Sequence, residues 1–112
     1  MTIKKFHVYL ADLNPRIGTE AGKVRPVVVV QTDLLNNHHP STIVCPLTTQ
    51  VNPQAHLLRV HVRRGQAGTL QDSDILLDQM RAIDNRRFLR QLGHLPTAQQ
   101  RQLLDNLRLI LD

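Results

Sequence analysis

The sequence predicts a mainly β fold, a small and strongly curved antiparallel barrel finished by a C-terminal helix. Three observations carry this. Short apolar runs with period two or rich in β-branched residues recur along the first three quarters of the chain. Turn residues separate them roughly every 8 to 15 positions, which suits about five short strands. The last quarter then changes to a helical period.

The elements follow in order. Phe6, Val8 and Leu10 alternate in a first, half-buried strand over residues 6–13, which Asn14-Pro15 ends. Residues 14–23 hold Pro15, Gly18 and Gly22 among polar groups and form a loop. Val24 to Gln31 is a β-branched run buried on both faces, with Pro26 confining its start to a sheet edge or end. Thr32 to Asn36 makes one capped helical turn, and Ser41 to Thr48 a third strand. In the next strand Leu58, Val60 and Val62 point to the core while Arg59, His61 and Arg63 form a basic face. Gly65 and Gly68 turn the chain into one more extended stretch, Ser73 to Ile83. Pro96 followed by Thr97-Ala98-Gln99-Gln100 gives the pattern of a capping box. Leu103, Leu104, Leu107, Ile110 and Leu111 then share one helical face.

A chain of 112 residues is expected to form one domain over 1–112, since half that length buries too little surface to hold itself folded. No apolar run is long enough to span a bilayer, and residues 1–7 lack the apolar core and cleavage site of a secretory signal. A cytoplasmic protein is expected. The single cysteine, Cys45, lies in an apolar run and reads as a buried, inert thiol. Lys and Arg number 14 against 9 Asp and Glu, a formal charge of +5 that suits either solubility or a phosphate-bearing partner. Eleven of the cations are arginine, whose planar fork matches phosphate oxygens. The aromatics are only Phe6, Tyr9 and Phe88, too few for a broad base-stacking platform.

Paired cysteines, HExxH, GxxxxGK[ST] and GxSxG are all missing, so the common metal, nucleotide and acyl-transfer readings lose their basis. Glu20 is the only glutamate, which excludes a two-glutamate site; the eight aspartates leave an aspartate-based metal site formally open. His38 and His39 are adjacent, a poor geometry for joint metal binding on a strand. The loop Asn14 to Pro26 concentrates Glu20, two glycines and the cations Arg16, Lys23 and Arg25. Such a segment either clamps a phosphate or is a solvated basic loop.

Taken in order, the strand Val8–Leu13 with Asn14-Pro15, then Gly18-Thr19-Glu20, then Arg25-Pro26 before valines, resembles the opening of the MazF/PemK/Kid toxin family. The resemblance continues through Leu34–Asn37, Val44-Cys45-Pro46-Leu47-Thr48-Thr49-Gln50 and Leu77–Asp84, and ends with Arg87 and Leu92–Leu95. It implies an SH3-like barrel with a terminal helix, and a homodimer that cuts single-stranded RNA at short sequences without metal or other cofactor. It also implies an antitoxin whose acidic, partly disordered tail fills the RNA groove, with DNA reached only through that antitoxin. An open barrel of this size leaves apolar edges that a two-fold partner would cover.

Carried over residue by residue, the resemblance makes Arg25 and Thr48 the groups at the scissile phosphate. Arg25 stabilises charge and serves as general acid, because a guanidinium titrating above about 12 is a poor base. Asp78 or Glu20 is the candidate general base, and would need a raised pKa to work well. Thr19, Lys23, Gln79 and Arg81 are the candidate RNA contacts. Four of these residues have a plain alternative: Glu20 pairing with Lys23 or Arg25, Thr48 capping a turn, Gln79 a satisfied buried amide, Arg81 solvating the surface. Arg87 is assigned to the solvated surface. The Kid-type triad is incomplete, since Thr19 and Leu76 stand at two of its three places and only Asp78 remains. The usual Gly-Asp start and tryptophan of the first strand are also missing, so base stacking would rest on Phe6 or Tyr9. Two other readings stay open: a toxin that binds a protein target such as gyrase, as CcdB does, and a non-catalytic RNA-binding module.

Overall fold

The computed structural model describes residues 1–15, 17–19 and 22–112. Arg16, Glu20 and Ala21 lie outside the described residues, and with them one of the two candidate bases. Among the described residues seven strands and one helix are formed: β1 His7–Asp12, β2 Val24–Val29, β3 Ser41–Thr48, β4 Arg59–Val62, β5 Ser73–Leu76, β6 Arg81–Asp84, β7 Phe88–His94 and α1 Thr97–Leu111. Every strand pairing is antiparallel. The order across the sheet is β4-β5-β3-β2-β1-β7, with β6 paired to the first half of β3. None of the helices described is long and apolar enough to cross a membrane.

The sheet is open between β4 and β7 in hydrogen-bonding terms, but a single turn, Gln66–Gly68, packs on β7 and nearly closes it. Closure depends on two glycines. A Cβ on Gly68 would lie 2.2 Å from the Leu92 carbonyl oxygen, and one on Gly93 would lie 2.7 Å from the backbone of Ala67. Two stretches of backbone meet there with no room for a side chain.

Curvature gives the sheet two apolar faces. Val8, Val28, Cys45, Leu47, Val60, Val62, Ile75 and Leu77 pack with Leu103 and Leu107 of α1. Tyr9, Ala11, Leu13, Val27, Val29, Val44, Ile83 and Phe88 form a second cluster on the other face, with the Tyr9 and Phe88 rings edge to face at 5.3 Å. β1 is therefore buried on both faces, not half-buried as its alternation predicts. The valine run of β2 is buried on both faces as expected, and Pro26 sits where the ladder to β3 has stopped, at Val27.

Other expectations shift in detail. The extended stretch 73–83 is two strands, broken by a single turn at Leu77–Gln79. β7 was not expected, because Leu89, Arg90 and Gln91 are exposed and the segment has no clean alternation. Thr97 is the first residue of α1 and makes no cap; Gln100 Nε2 instead donates to the Leu95 carbonyl at 2.9 Å. On the helix Leu103 and Leu107 are buried, while Leu111 is exposed. Thr32–Asn36 forms the expected turn, with Thr32 Oγ1 accepting from the Leu34 N–H at 3.2 Å.

Candidate active site

Strand register places the site. Val27 on β2 faces Pro46 on β3. Two residues further along each strand, Arg25 and Thr48 fall on the same face of the sheet, where the strands splay apart. Across β3, Thr48 is the partner of Asp74 on β5, and Asp74 is the partner of His61 on β4. One row across the sheet therefore reads Arg25, Thr48, Asp74, His61.

An open cleft of about 970 Å³ lies over this row. Thr19, Lys23, Arg25, Thr48, Asp78 and Gln79, six of the sequence candidates, line it. Arg81 does not: it stands on β6 opposite Val44, with Nη1 buried and unpartnered among the described residues. The turn at Leu77–Gln79 is what brings Asp78 and Gln79 to the cleft, since an unbroken strand would have carried them along the edge of β3. Residues not anticipated also line it, among them Asn14, Gln50, Asn52 and Arg59.

On the β1–β2 side, Arg25 Nε donates to the Gly22 carbonyl at 3.0 Å and Nη1 to the Leu47 carbonyl at 3.4 Å. The second contact ties the guanidinium to the residue just before Thr48. Lys23 holds a left-handed backbone, φ 66°, uncommon for a residue with a Cβ, and its N–H donates to Asn14 Oδ1 at 2.8 Å. The Leu13 N–H donates to the Lys23 carbonyl at 2.8 Å, so the loop is pinched at its base. Arg87, expected on the solvated surface, completes that base: its Nη1 donates to the Asp12 carbonyl at 2.9 Å and also to that of Asn14.

On the β3–β5 side the anchor is Asp74, whose side chain has no solvent exposure. Oδ2 accepts from the Asn52 N–H at 2.8 Å and from Arg59 Nη1 at 3.0 Å, and Oδ1 from His61 Nδ1. Burial pushes the Asp74 carboxyl up, but these hydrogen bonds together outweigh it and hold the group below its ordinary value. Two of the three residues of the basic face, Arg59 and His61, are thus turned onto a carboxylate, while Arg63 is exposed. Thr48 both lines the cleft and caps a turn, because its Oγ1 accepts from the Gln50 N–H at 3.1 Å. Beneath the cleft, burial, reinforced by the Asp78 carboxylate, pushes the Cys45 thiol up to about 12, which makes it an inert packing group.

The row of arginine and threonine under a basic, open cleft can hold a phosphodiester and stabilise charge on its oxygens. Comparison with known proteins agrees. Residues 4–111 match the model of a family described as PemK-like, MazF-like toxin of type II toxin-antitoxin system. Endoribonuclease EndoA of Bacillus subtilis is 40% identical over 95 residues, covering 85% of this chain and 82% of that protein. Among solved structures, MazF from Deinococcus radiodurans superposes with a TM-score of 0.83 at 23% identity, covering 99% of this chain and 97% of that one. Mycobacterium tuberculosis toxin MazF-mt6 does so with a TM-score of 0.79 at 24% identity, covering 95% and 96%. With a family match spanning nearly the whole sequence and the same fold in these structures, the chain belongs to the PemK-like, MazF-like toxins of type II toxin-antitoxin systems.

Proposed function

We propose that this chain is the toxin of a type II toxin-antitoxin pair and acts as a metal-independent, sequence-specific endoribonuclease on single-stranded RNA. The observation that carries the reading is the placing of Arg25 and Thr48 on one face of the splayed β2–β3 pair, inside the cleft. The name of the Bacillus subtilis relative, an endoribonuclease, supports the RNA-cleaving part of the reading.

The chemistry needs little from the protein, because RNA carries its own nucleophile. The ribose 2′-OH attacks the adjacent phosphorus, the bond to the 5′-oxygen breaks, and the products are a 2′,3′-cyclic phosphate and a 5′-hydroxyl. Arg25 donates to the phosphoryl oxygens as negative charge builds on them and supplies a proton toward the leaving oxygen; Thr48 donates one more hydrogen bond. Asp78, exposed on the rim, or Glu20 takes the 2′-OH proton. Thr19, Lys23 and Gln79 contact the strand on either side, and Arg81, buried at Nη1 away from the cleft, drops out of the RNA contacts. The protein works as a homodimer in the cytoplasm, and its antitoxin covers the cleft with an acidic, partly disordered segment that folds on binding.

The test is incubation of wild type, Arg25→Ala and Thr48→Ala with a long single-stranded RNA in excess EDTA, with the new ends mapped. Cleavage by wild type alone, leaving cyclic phosphate and 5′-hydroxyl ends, is expected. Intact RNA under every condition would replace the enzyme with a toxin that binds a protein target.

A further inference from the structure

Asp74 and Arg59 stand behind Thr48 in a continuous chain of hydrogen bonds. Asp74 Oδ2 accepts from Arg59 Nη1 at 3.0 Å, and the same nitrogen donates to the Gln50 carbonyl at 2.7 Å. The Gln50 N–H in turn donates to Thr48 Oγ1 at 3.1 Å. A second strut runs from the Asn52 N–H to Asp74 Oδ2 at 2.8 Å. The short segment 48–52 is therefore pinned at both its middle and its end to one buried carboxylate.

A hydroxyl has one hydrogen to give and two lone pairs to accept with. Accepting from Gln50 occupies one lone pair of Thr48 and turns its O–H away from that amide. We propose that Arg59 and Asp74 are positioning residues that fix Gln50 so that the Thr48 hydroxyl enters the cleft as a donor, ready for a phosphoryl oxygen. This rests on the endoribonuclease reading above. Arg59 itself lines the cleft, but both hydrogens of its Nη1 go to Asp74 and the Gln50 carbonyl, which assigns this nitrogen to holding Gln50; a contact from the rest of the guanidinium to RNA would show instead in KM. Asp74 supplies the fixed point: without solvent exposure and with three donors on its two oxygens, it has little freedom to follow a moving arginine.

The experiment measures kcat and KM on a short single-stranded RNA holding one site that wild type cuts, in excess EDTA, for Arg59→Met, Arg59→Lys, Asp74→Asn, Thr48→Ala and the pair Arg59→Met with Thr48→Ala. Thermal melting confirms that each is folded at the assay temperature. The expected result for Arg59→Met and Asp74→Asn is a fall in kcat of about tenfold with KM within about twofold, as for a misplaced catalytic donor. Arg59→Lys, which can still reach the Gln50 carbonyl, recovers part of the loss. In the Thr48→Ala background Arg59→Met costs less than about twofold further, because the group it positions has gone. If Asp74→Asn fails to fold, the arginine variants carry the test alone. An equal loss with and without Thr48, a loss confined to KM, or full activity of Arg59→Met overturns the assignment while leaving the nuclease reading intact. Absence of cleavage by wild type overturns both.

Discussion

The cleft has two walls built in opposite ways. The β1–β2 wall is a loop of glycine and cations, pinched at its base by backbone hydrogen bonds and by Arg87 reaching across from the start of β7. The β3–β5 wall is held from beneath by a buried carboxylate with three donors. Arg25 comes from the first wall and Thr48 from the second, and the Arg25 contact to the Leu47 carbonyl stitches them together. The contrast suggests a division of labour. Under the proposed function, the anchored wall would set the geometry of the chemistry and the pinched loop would contact the RNA strand.

Breaking the anchored wall should have the largest effect on the fold. Asp74→Ala strands Arg59, His61 and the Asn52 N–H around a void. Since Arg59 and His61 both keep some access to water, the expected cost is at the low end for a broken buried pair, about 3 kcal/mol, read by urea denaturation. Breaking the loop wall should be milder for the fold and sharper for binding. Arg87→Met removes two donations to the loop base and should cost about 1–2 kcal/mol of stability, with KM for RNA raised several-fold and kcat changed less. A result with kcat falling and KM unchanged would erase the division of labour.

Acid sharpens the comparison further. Asp74 has a native pKa below the ordinary 3.8, so its contribution is complete above that value and is lost as pH falls through the lower native one. Wild type should therefore lose stability below about pH 4 more steeply than Asp74→Asn, in melts taken at matched ionic strength. Equal slopes would mean that the carboxylate is not the anchor. The smallest effect is expected at Cys45. With its thiol held at about 12, it should resist alkylation at pH 8 in the native protein and react only on unfolding.

Much of this was legible in the sequence, and the gaps have physical causes. β3 runs over Ser41–Thr48 as its apolar pattern predicts, because a strand inside a sheet writes its burial into its composition. β7 left no such mark, since it is an edge strand with exposed Leu89, Arg90 and Gln91 and takes its place by backbone pairing with β1. Arg25 and Thr48, which line the cleft, were singled out through the family resemblance that their local motifs carry. Asp74 was not, because its importance arises only when β5 is laid against β4 and the basic face finds a carboxylate opposite. Arg87 was misjudged for the same reason: its partners are the carbonyls of Asp12 and Asn14, far away in sequence.

The pairing of β1 with β7 bears on the order of folding. Val8 meets Gly93 and Ala11 meets Phe88, so this ladder joins segments from opposite ends of the chain and spans the widest separation among the described strand pairings. The loop-closure cost of so long a separation predicts that this ladder forms after the local β1–β2 hairpin. Arg87 stands immediately before β7, so the loop wall of the cleft gains its clamp only when that last strand docks. Until β7 docks, the chain would hold the residues of the proposed site without the clamp on its loop wall.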